Sequence, residues 1–255
     1  MPGPRDGRHP RAARAIPGLA ALPDLAPMIV LAFDCAVTGL GVAVLADGAC
    51  RVRLLEEGRD QAARLVPAIG AALADAGIGR RDVGLVAVTT GPGSFTGVRV
   101  GLAAARGLAV GLGVPLAGIA TTDVLSAQAG RQDRPVVAAI DSRLGDWFCA
   151  LPGAPPFVAS APALAERVSG SAFEPGVHVI GAGVAPLARE LRELGIDVTE
   201  RETTPDPEAL ARLALAEGAD AWRARNAAEG LPRPLYLRGV NVTLPDGARR
   251  TVDLE

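Results

Sequence analysis

The hydrophobic and polar positions of this chain fall into short apolar runs that alternate with helical patterns. Residues 28–34 form an apolar run that ends in Asp34, and residues 40–47 form a second one. The Asp47-Gly48 pair is typical of a hairpin turn, and a third apolar run follows it. The pattern therefore predicts three strands in succession.

Helical patterns separate the strands that come next. A helix is predicted from about Asp60 to Ala76, because its apolar residues recur on one helical face. A buried strand at residues 83–90 leads through a glycine-rich loop into a long helix that ends near Gly113. A further strand and a helix capped by Thr121 follow. The predicted order is three strands, helix, strand, helix, strand and helix.

The same order starts again near residue 136. Residues 136–152 contain an apolar strand that ends in Asp141, a tight polar turn and a second apolar strand. Residues 178–183 are then predicted as a strand, and residues 206–225 as one amphipathic helix with Asp206 as its N-cap. The repeat predicts an α/β protein built from two related lobes.

The domain boundaries follow from this repeat. Residues 1–27 are rich in Pro, Gly and Arg, and prolines break their apolar part, so we expect a disordered extension that is neither a signal peptide nor a membrane span. The lobes are assigned to residues 28–134 and 135–240, and residues 241–255 to a tail. We expect the helix at 206–225 to pack back on the first lobe.

The composition excludes several kinds of chemistry. All 26 basic residues are arginines, so a P-loop lysine, a Schiff base and a catalytic lysine are absent. The two histidines, His9 and His178, form no paired motif, and no metal site is predicted. Three cysteines without paired spacing favour reduced thiols and a cytoplasmic location. The net charge of −2 offers no basic stripe for nucleic acid.

The glycine-rich loop before the long helix looks at first like a phosphate cradle. It lacks the second glycine and the lysine of a Walker A loop, and it fits the dinucleotide fingerprint only in part. A rigid turn and a helix cap formed by Ser94 or Thr96 account for the same residues. We call this stretch the signature loop, and it consists of Gly91, Pro92, Gly93, Ser94, Phe95, Thr96 and Gly97.

The long helix is apolar on all sides. Between residues 98 and 113 its only polar side chains are Arg99 and Arg106. Such a helix must be buried on more than one side, either inside a single-chain core or between its own sheet and a partner protein. Arginine is enriched at interfaces and exposed aliphatic surface is unfavourable, which favours the partner.

The signature loop and the long helix together resemble the sequence of a known protein family. The stretch GPGSFTGVRVGLAAARGLA, which begins at Gly91, closely resembles the signature of the TsaB (YeaZ) family. The opening segment from Met28, the second-lobe hairpin from Val136 and the sequence PLYLR near the C terminus support it, so the resemblance covers about residues 28–240. It implies the duplicated two-lobe fold of the actin/Hsp70/sugar-kinase superfamily.

The resemblance also implies a function. TsaB-like proteins take part in making N6-threonylcarbamoyladenosine at position 37 of tRNAs that read codons starting with A, and they are considered non-catalytic. They dimerise with a paralogue, TsaD, which carries the metal and transfers the threonylcarbamoyl group, and an ATPase, TsaE, joins them. A homodimer can form when the partner is absent. We therefore expect no catalytic, cofactor-binding or metal-binding residues on this chain, ATP and metal on the partner subunits, and only indirect contact with tRNA.

In that family the helices around the signature form the dimer contact. Carried over to this chain, the predicted partner interface comprises Leu65, Ile69, Leu73, Val98, Arg99, Leu102, Ala105, Arg106 and Ala109. The chain departs from the family in lacking a histidine near the start of the first helix and in having a short second lobe.

An enzyme is the alternative. Asp34 and Asp141 follow strands, and they could hold Mg²⁺ near phosphates in an ATP-dependent enzyme of the same superfamily or in a glycoprotease-like metalloenzyme. An aspartate after a strand is equally an ordinary turn residue.

Overall fold

The computed structural model describes residues 28–58, 60–170, 173–174, 176–238, 240–243 and 249–252. The expectation for residues 1–27 lies outside the described residues. Two five-stranded sheets and the helices around them make up the body of the protein.

The first sheet is buried on both faces. Its strand order is β3-β2-β1-β4-β5, with β1, β2 and β3 antiparallel and with β4 and β5 parallel to β1. Leu31 and Phe33 face one side of the sheet, and Val30 and Ala32 face the other, as the two-residue repeat of a strand requires. The strands are β1 (Ile29–Asp34), β2 (Leu40–Ala46), β3 (Ala49–Glu56), β4 (Leu85–Thr89) and β5 (Leu116–Ile119).

Two helices cover one face of this sheet. Helices α1 (Gln61–Asp75) and α2 (Phe95–Leu112) lie side by side over Leu31 and Phe33, and a 3₁₀ turn at Arg80–Asp82 follows α1. By length and composition α2 is apolar enough to cross a membrane. Its buried residues pack on the first sheet, as those of a core helix do.

The second sheet repeats the topology of the first. Its order β10-β9-β6-β7-β8 places a meander of three antiparallel strands beside two parallel strands, as in the first sheet. The duplicated α/β fold of the actin/Hsp70/sugar-kinase type is therefore confirmed. The strands are β6 (Val136–Asp141), β7 (Trp147–Ala150), β8 (Phe157–Ala159), β9 (Val177–Ala182) and β10 (Val198–Glu202).

The helices of the second half complete a layered arrangement. Helices α4 (Ala161–Val168) and α5 (Val184–Glu193) cover one face of the second sheet, and α3 (Thr121–Ala129) covers the other. Helix α6 (Pro207–Glu217) returns to the first sheet, where it contacts β1 and β2 and also α3. The order of layers is α1 and α2, first sheet, α6 with α3, second sheet, α4 and α5.

Two local predictions are corrected by the structure. The predicted helix at 206–225 is two helices, because Gly218, with φ of 86°, ends α6 before α7 (Ala219–Glu229) begins. Thr121 is the first residue of α3 and not its cap, and its buried hydroxyl has no hydrogen-bond partner among the described residues. Strands β11 (Val240–Thr243) and β12 (Arg249–Val252), which lie largely in the segment assigned to a tail, pair with each other in antiparallel orientation.

The predicted cap of α6 is confirmed. The Asp206 side chain accepts a hydrogen bond of 2.8 Å from the backbone N–H of Glu208, two residues into the helix. The backbone N–H of Asp206 in turn donates to the side-chain oxygen of Gln128 in α3, at 2.8 Å. The start of α6 is thus fixed to the helix that packs on the second sheet.

Candidate functional site

The signature loop packs against the turn that follows β1. A Cβ on Gly93 would lie 2.0 Å from the carbonyl oxygen of Ala36, and one on Gly97 would lie 1.9 Å from that of Cys35. Ser94 donates its backbone N–H to the Ala36 carbonyl at 2.6 Å, and its hydroxyl accepts from the N–H of Gly97 at 3.2 Å. Ser94 is therefore the N-cap of α2, and the glycines serve close backbone packing.

Asp34 holds the same turn together from inside. Its carboxylate is 4% exposed, and one oxygen accepts hydrogen bonds from the Thr89 hydroxyl at 2.5 Å and from the N–H of Ala36 at 3.0 Å. Burial raises the pKa of Asp34 to about 6, against the lowering effect of these two hydrogen bonds. The arrangement is that of a buried turn residue.

Asp141, at the corresponding position of the second lobe, is exposed. Its carboxylate accepts a hydrogen bond of 2.7 Å from the backbone N–H of Arg143. Across the described part of the chain, no cluster of three or more His, Cys, Asp or Glu residues could hold a metal ion. A role of Asp34 and Asp141 in holding magnesium or a nucleotide stays a prediction.

Most of the predicted interface residues lie in the core of the chain itself. The apolar seam of α2 faces its own sheet, and the predicted face of α1 packs against it there, so these side chains are buried in the core of the single chain. This part of the prediction is corrected, because each of the following is at most 4% exposed: Leu65, Ile69, Leu73, Val98, Leu102, Ala105 and Ala109.

The two arginines of α2 contact residues 232–238, a segment we call the C-terminal strap. Arg106 donates two hydrogen bonds, of 3.0 and 2.5 Å, to the carbonyl of Pro232. The Arg99 guanidinium stacks over the ring of Phe95, 3.3 Å from its centroid, and lies 5.3 Å from that of Tyr236. Arg106 is thus held by the chain itself, whereas Arg99 remains exposed.

The C-terminal strap runs from the first lobe to the second. Leu235 donates its backbone N–H to the carbonyl of Thr90, beside the signature loop, at 2.8 Å. Arg238 forms a salt bridge with Asp146, in the turn between β6 and β7. The strap therefore bridges the two lobes.

An apolar cavity remains under the strap, which we call the interlobe pocket. It has a volume of about 350 Å³, and both lobes and the strap contribute to its walls. Two of its residues, Phe95 and Leu144, are 48% and 72% exposed. The lining consists of Pro92, Gly93, Phe95, Val98, Leu144, Phe148, Leu235, Tyr236, Leu237 and Arg238.

The outward side of α1 and α2 carries small and apolar residues that the sequence analysis did not single out. Val66 and Val110 are 65% and 71% exposed, and a Cβ built on Gly70 or Gly107 meets no atom within 4 Å. A cavity of about 480 Å³ lies between the two helices near their C-terminal ends. We call this surface the helix face, and it consists of Val66, Gly70, Ala74, Ala103, Gly107 and Val110.

Comparisons with known proteins agree with the resemblance. A family model described as "TsaD: tRNA N6-adenosine threonylcarbamoyltransferase" matches residues 56–151. The chain is 35% identical over 125 residues to the tRNA threonylcarbamoyladenosine biosynthesis protein TsaB of Escherichia coli (strain K12), which is 48% of this chain and 54% of that protein. It is 38% identical over 112 residues to TsaB of Haemophilus influenzae, which is 39% of this chain and 48% of that protein. The chain spans about half the length of the curated relatives it matches.

The similarity in three dimensions extends further along the chain. The solved structure of YeaZ from Pseudomonas aeruginosa matches with a TM-score of 0.66 at 27% identity, and the match covers 82% of this chain and 100% of that one. Together, the sequence and structure matches confirm the resemblance to the TsaB proteins.

Proposed function

We propose that this chain, which is similar to the TsaB proteins in sequence and in fold, is an accessory subunit in the biosynthesis of threonylcarbamoyladenosine in tRNA. Its partner is a TsaD-like threonylcarbamoyltransferase, and a TsaE-like ATPase joins the assembly. ATP and metal bind to the partner subunits, and tRNA contacts this chain only indirectly. The chain works in the cytoplasm.

The helix face is the observation that carries this proposal. Two adjacent helices expose valines at Val66 and Val110, while glycine and alanine between them leave the backbone open to close approach. Contiguous apolar surface of this kind is unfavourable in water, and it is typical of surfaces that another protein covers. Small side chains allow a second pair of helices to pack at short interaxial distance.

The signature loop and the strap support the non-catalytic part of the proposal. The glycines of the loop are used for contact with the Cys35–Ala36 turn, and the Asp34 carboxylate is used to hold that turn. The residues of the strap are used to bridge the two lobes. These groups have structural roles that account for them without a bound nucleotide.

Association with a TsaD-like protein tests the proposal. Val110→Glu places a charge on the helix face, and desolvating that charge in an interface is costly. We expect co-purification to be lost or the dissociation constant to rise at least about tenfold. Leu194→Glu, at a leucine that is 48% exposed beyond α5, is the matched control and should leave association unchanged.

A modification assay separates a partner subunit from an enzyme. Threonylcarbamoyl transfer to tRNA is measured with the TsaD-like and TsaE-like proteins, with and without this chain and with Val110→Glu. We expect modification only with the unaltered chain. If Val110→Glu associates and supports modification as the unaltered chain does, the helix face is not the interface. If the chain alone hydrolyses ATP at a useful rate, the ATP-dependent alternative replaces the accessory role.

A further inference from the structure

The interlobe pocket differs from the helix face in chemistry. The helix face consists of glycine, alanine and valine, whereas the walls of the pocket include the aromatic side chains of Phe95, Phe148 and Tyr236. Its floor is closed by Val98, which is 4% exposed, and by the signature loop. A volume of about 350 Å³ is at the small end of known ligand sites, and it suits one bulky apolar group.

The apolar surface continues beyond the mouth of the pocket. Leu144 is 72% exposed on the second lobe, and Phe95 is 48% exposed on the first, so both rims present large hydrophobic side chains to water. A small molecule inside the pocket would leave these rims wet. A polypeptide with one side chain in the pocket covers the rims as well, in the way that an anchor residue at an interface is surrounded by further contacts.

The charge beside the pocket is positive. The Arg99 guanidinium stacks on Phe95 and lies near Tyr236, and it forms no salt bridge with a carboxylate of the described residues. Arg238 lies 6.0 Å from the centroid of Phe148, and its charge is already paired with Asp146. An incoming acidic group therefore finds a pre-oriented guanidinium at the rim that no carboxylate of the described residues neutralises.

We propose that the interlobe pocket is a docking site for an acidic segment of another protein, with a bulky apolar side chain in the pocket and a neighbouring carboxylate on Arg99. The apolar walls bind the side chain, the exposed rims bind the residues on either side, and Arg99 selects for negative charge. The site is separate from the helix face, so it can be occupied while a helical partner is bound. The proposal does not depend on the proposed function.

Binding of short fluorescent peptides to the full chain tests this site. The probe has a central phenylalanine flanked by glutamates, and two comparison peptides replace the glutamates by lysines or the phenylalanine by alanine. Fluorescence anisotropy gives the dissociation constants. We expect each comparison peptide to bind at least about tenfold more weakly than the probe.

Matched variants assign that binding to the pocket. Leu144→Ser and Arg99→Gln should each weaken binding of the probe about tenfold. Leu194→Ser removes another exposed leucine, and Arg167→Gln removes another arginine stacked on an aromatic ring, that of Phe157. Both controls should bind like the unaltered chain, and thermal melts should show that all four variants are folded.

Several outcomes would overturn the proposal. One is that the lysine peptide binds as well as the probe, and another is that binding survives both Leu144→Ser and Arg99→Gln. Absence of binding at about 1 mM probe would also reject it. If free N-acetylphenylalanine binds as tightly as the probe, the pocket is a small-molecule site. If Leu144→Ser abolishes self-association in sedimentation, a second copy of the chain is the occupant.

Discussion

The guanidinium of Arg53, on the edge strand β3, holds the carboxylate of Asp206, the N-cap of α6, through two hydrogen bonds of 3.0 and 2.5 Å. The Asp206 side chain is 6% exposed, and the Arg53 side chain is 28% exposed. This pair fixes the start of α6 to the first sheet, after the chain has passed through the second sheet and returned.

Removing the arginine of this pair should destabilise the protein. Arg53→Met leaves a buried carboxylate without its cation, and we expect the free energy of unfolding to fall by about 2 kcal/mol, because loss of one partner exposes the desolvation cost of the other. Urea unfolding followed by circular dichroism measures the change. Arg223→Met is the control, since Arg223 and Asp220 form an exposed pair and should change stability by less than about 0.5 kcal/mol. Equal effects of the two substitutions would contradict the argument.

Two glycines of α2 should respond to alanine in opposite ways. In Gly97→Ala the new Cβ would lie 1.9 Å from the Cys35 carbonyl oxygen, so the backbone must move, and we expect a loss of about 3 kcal/mol or more. In Gly111→Ala the Cβ meets no atom within 4 Å, and the higher helix propensity of alanine should add about 0.5–1 kcal/mol. Thermal unfolding of both variants measures the difference. If Gly97→Ala left the stability unchanged, the close approach to the Cys35 carbonyl would not require glycine at this position.

Asp34 should make the stability of the protein fall as the pH rises. Burial raises the folded-state pKa from 3.8 to about 6, so between about pH 4 and pH 6 the unfolded chain releases the proton while the folded chain retains it. Above pH 6 the cost is complete and amounts to at most about 3 kcal/mol. Asp34→Asn can still accept the hydrogen bonds from Thr89 and Ala36 and should be the more stable protein at pH 7.5.

Unfolding in urea at several pH values measures this dependence. The stability gained by Asp34→Asn should shrink towards pH 4, where the Asp34 side chain of the folded parent protein is protonated and therefore as uncharged as the asparagine. Thr89→Val removes a hydrogen bond that lowers the pKa, so in that variant the pH dependence should extend to higher pH. If Asp34→Asn raised the free energy of unfolding equally at pH 4 and at pH 7.5, ionisation of Asp34 would not be what destabilises the protein.

The three cysteines should be slow to react in the folded protein. Burial raises the pKa of Cys35, Cys50 and Cys149 to about 12, and only the thiolate is nucleophilic. Titration with a chromogenic disulfide at pH 8 should therefore release less than one equivalent from the folded chain and three from the chain in urea. Rapid reaction of Cys50, which is partly exposed, would show that its environment opens.

The sequence pattern predicted the repeated strand order, the turn role of the signature loop and an N-cap at Ser94 or Thr96, of which Ser94 is the one observed. For α2 the pattern correctly placed Val98 and Leu102 on one face of the helix. It could not show whether that face contacts the chain's own sheet or another protein, and the assignment to a partner was wrong for this reason. The helix face was missed because most of it is glycine and alanine, which give almost no hydrophobic signal. Its two valines, Val66 and Val110, are exposed, but the sequence pattern does not distinguish them from buried valines.

Contacts between distant parts of the chain were also invisible to the pattern. The carbonyl of Pro232 binds Arg106 across 126 positions of sequence, and nothing local to either residue indicates that contact. The break at Gly218 was missed for a different reason, since the helical periodicity on both sides of the glycine is in phase with one continuous helix.

The C-terminal strap has a consequence for motion. It is hydrogen-bonded to Thr90 in one lobe and ion-paired with Asp146 in the other, so hinge rotation would have to break one of these contacts. These two contacts oppose a change in the angle between the lobes, and we expect little backbone change between the free and bound forms of the chain.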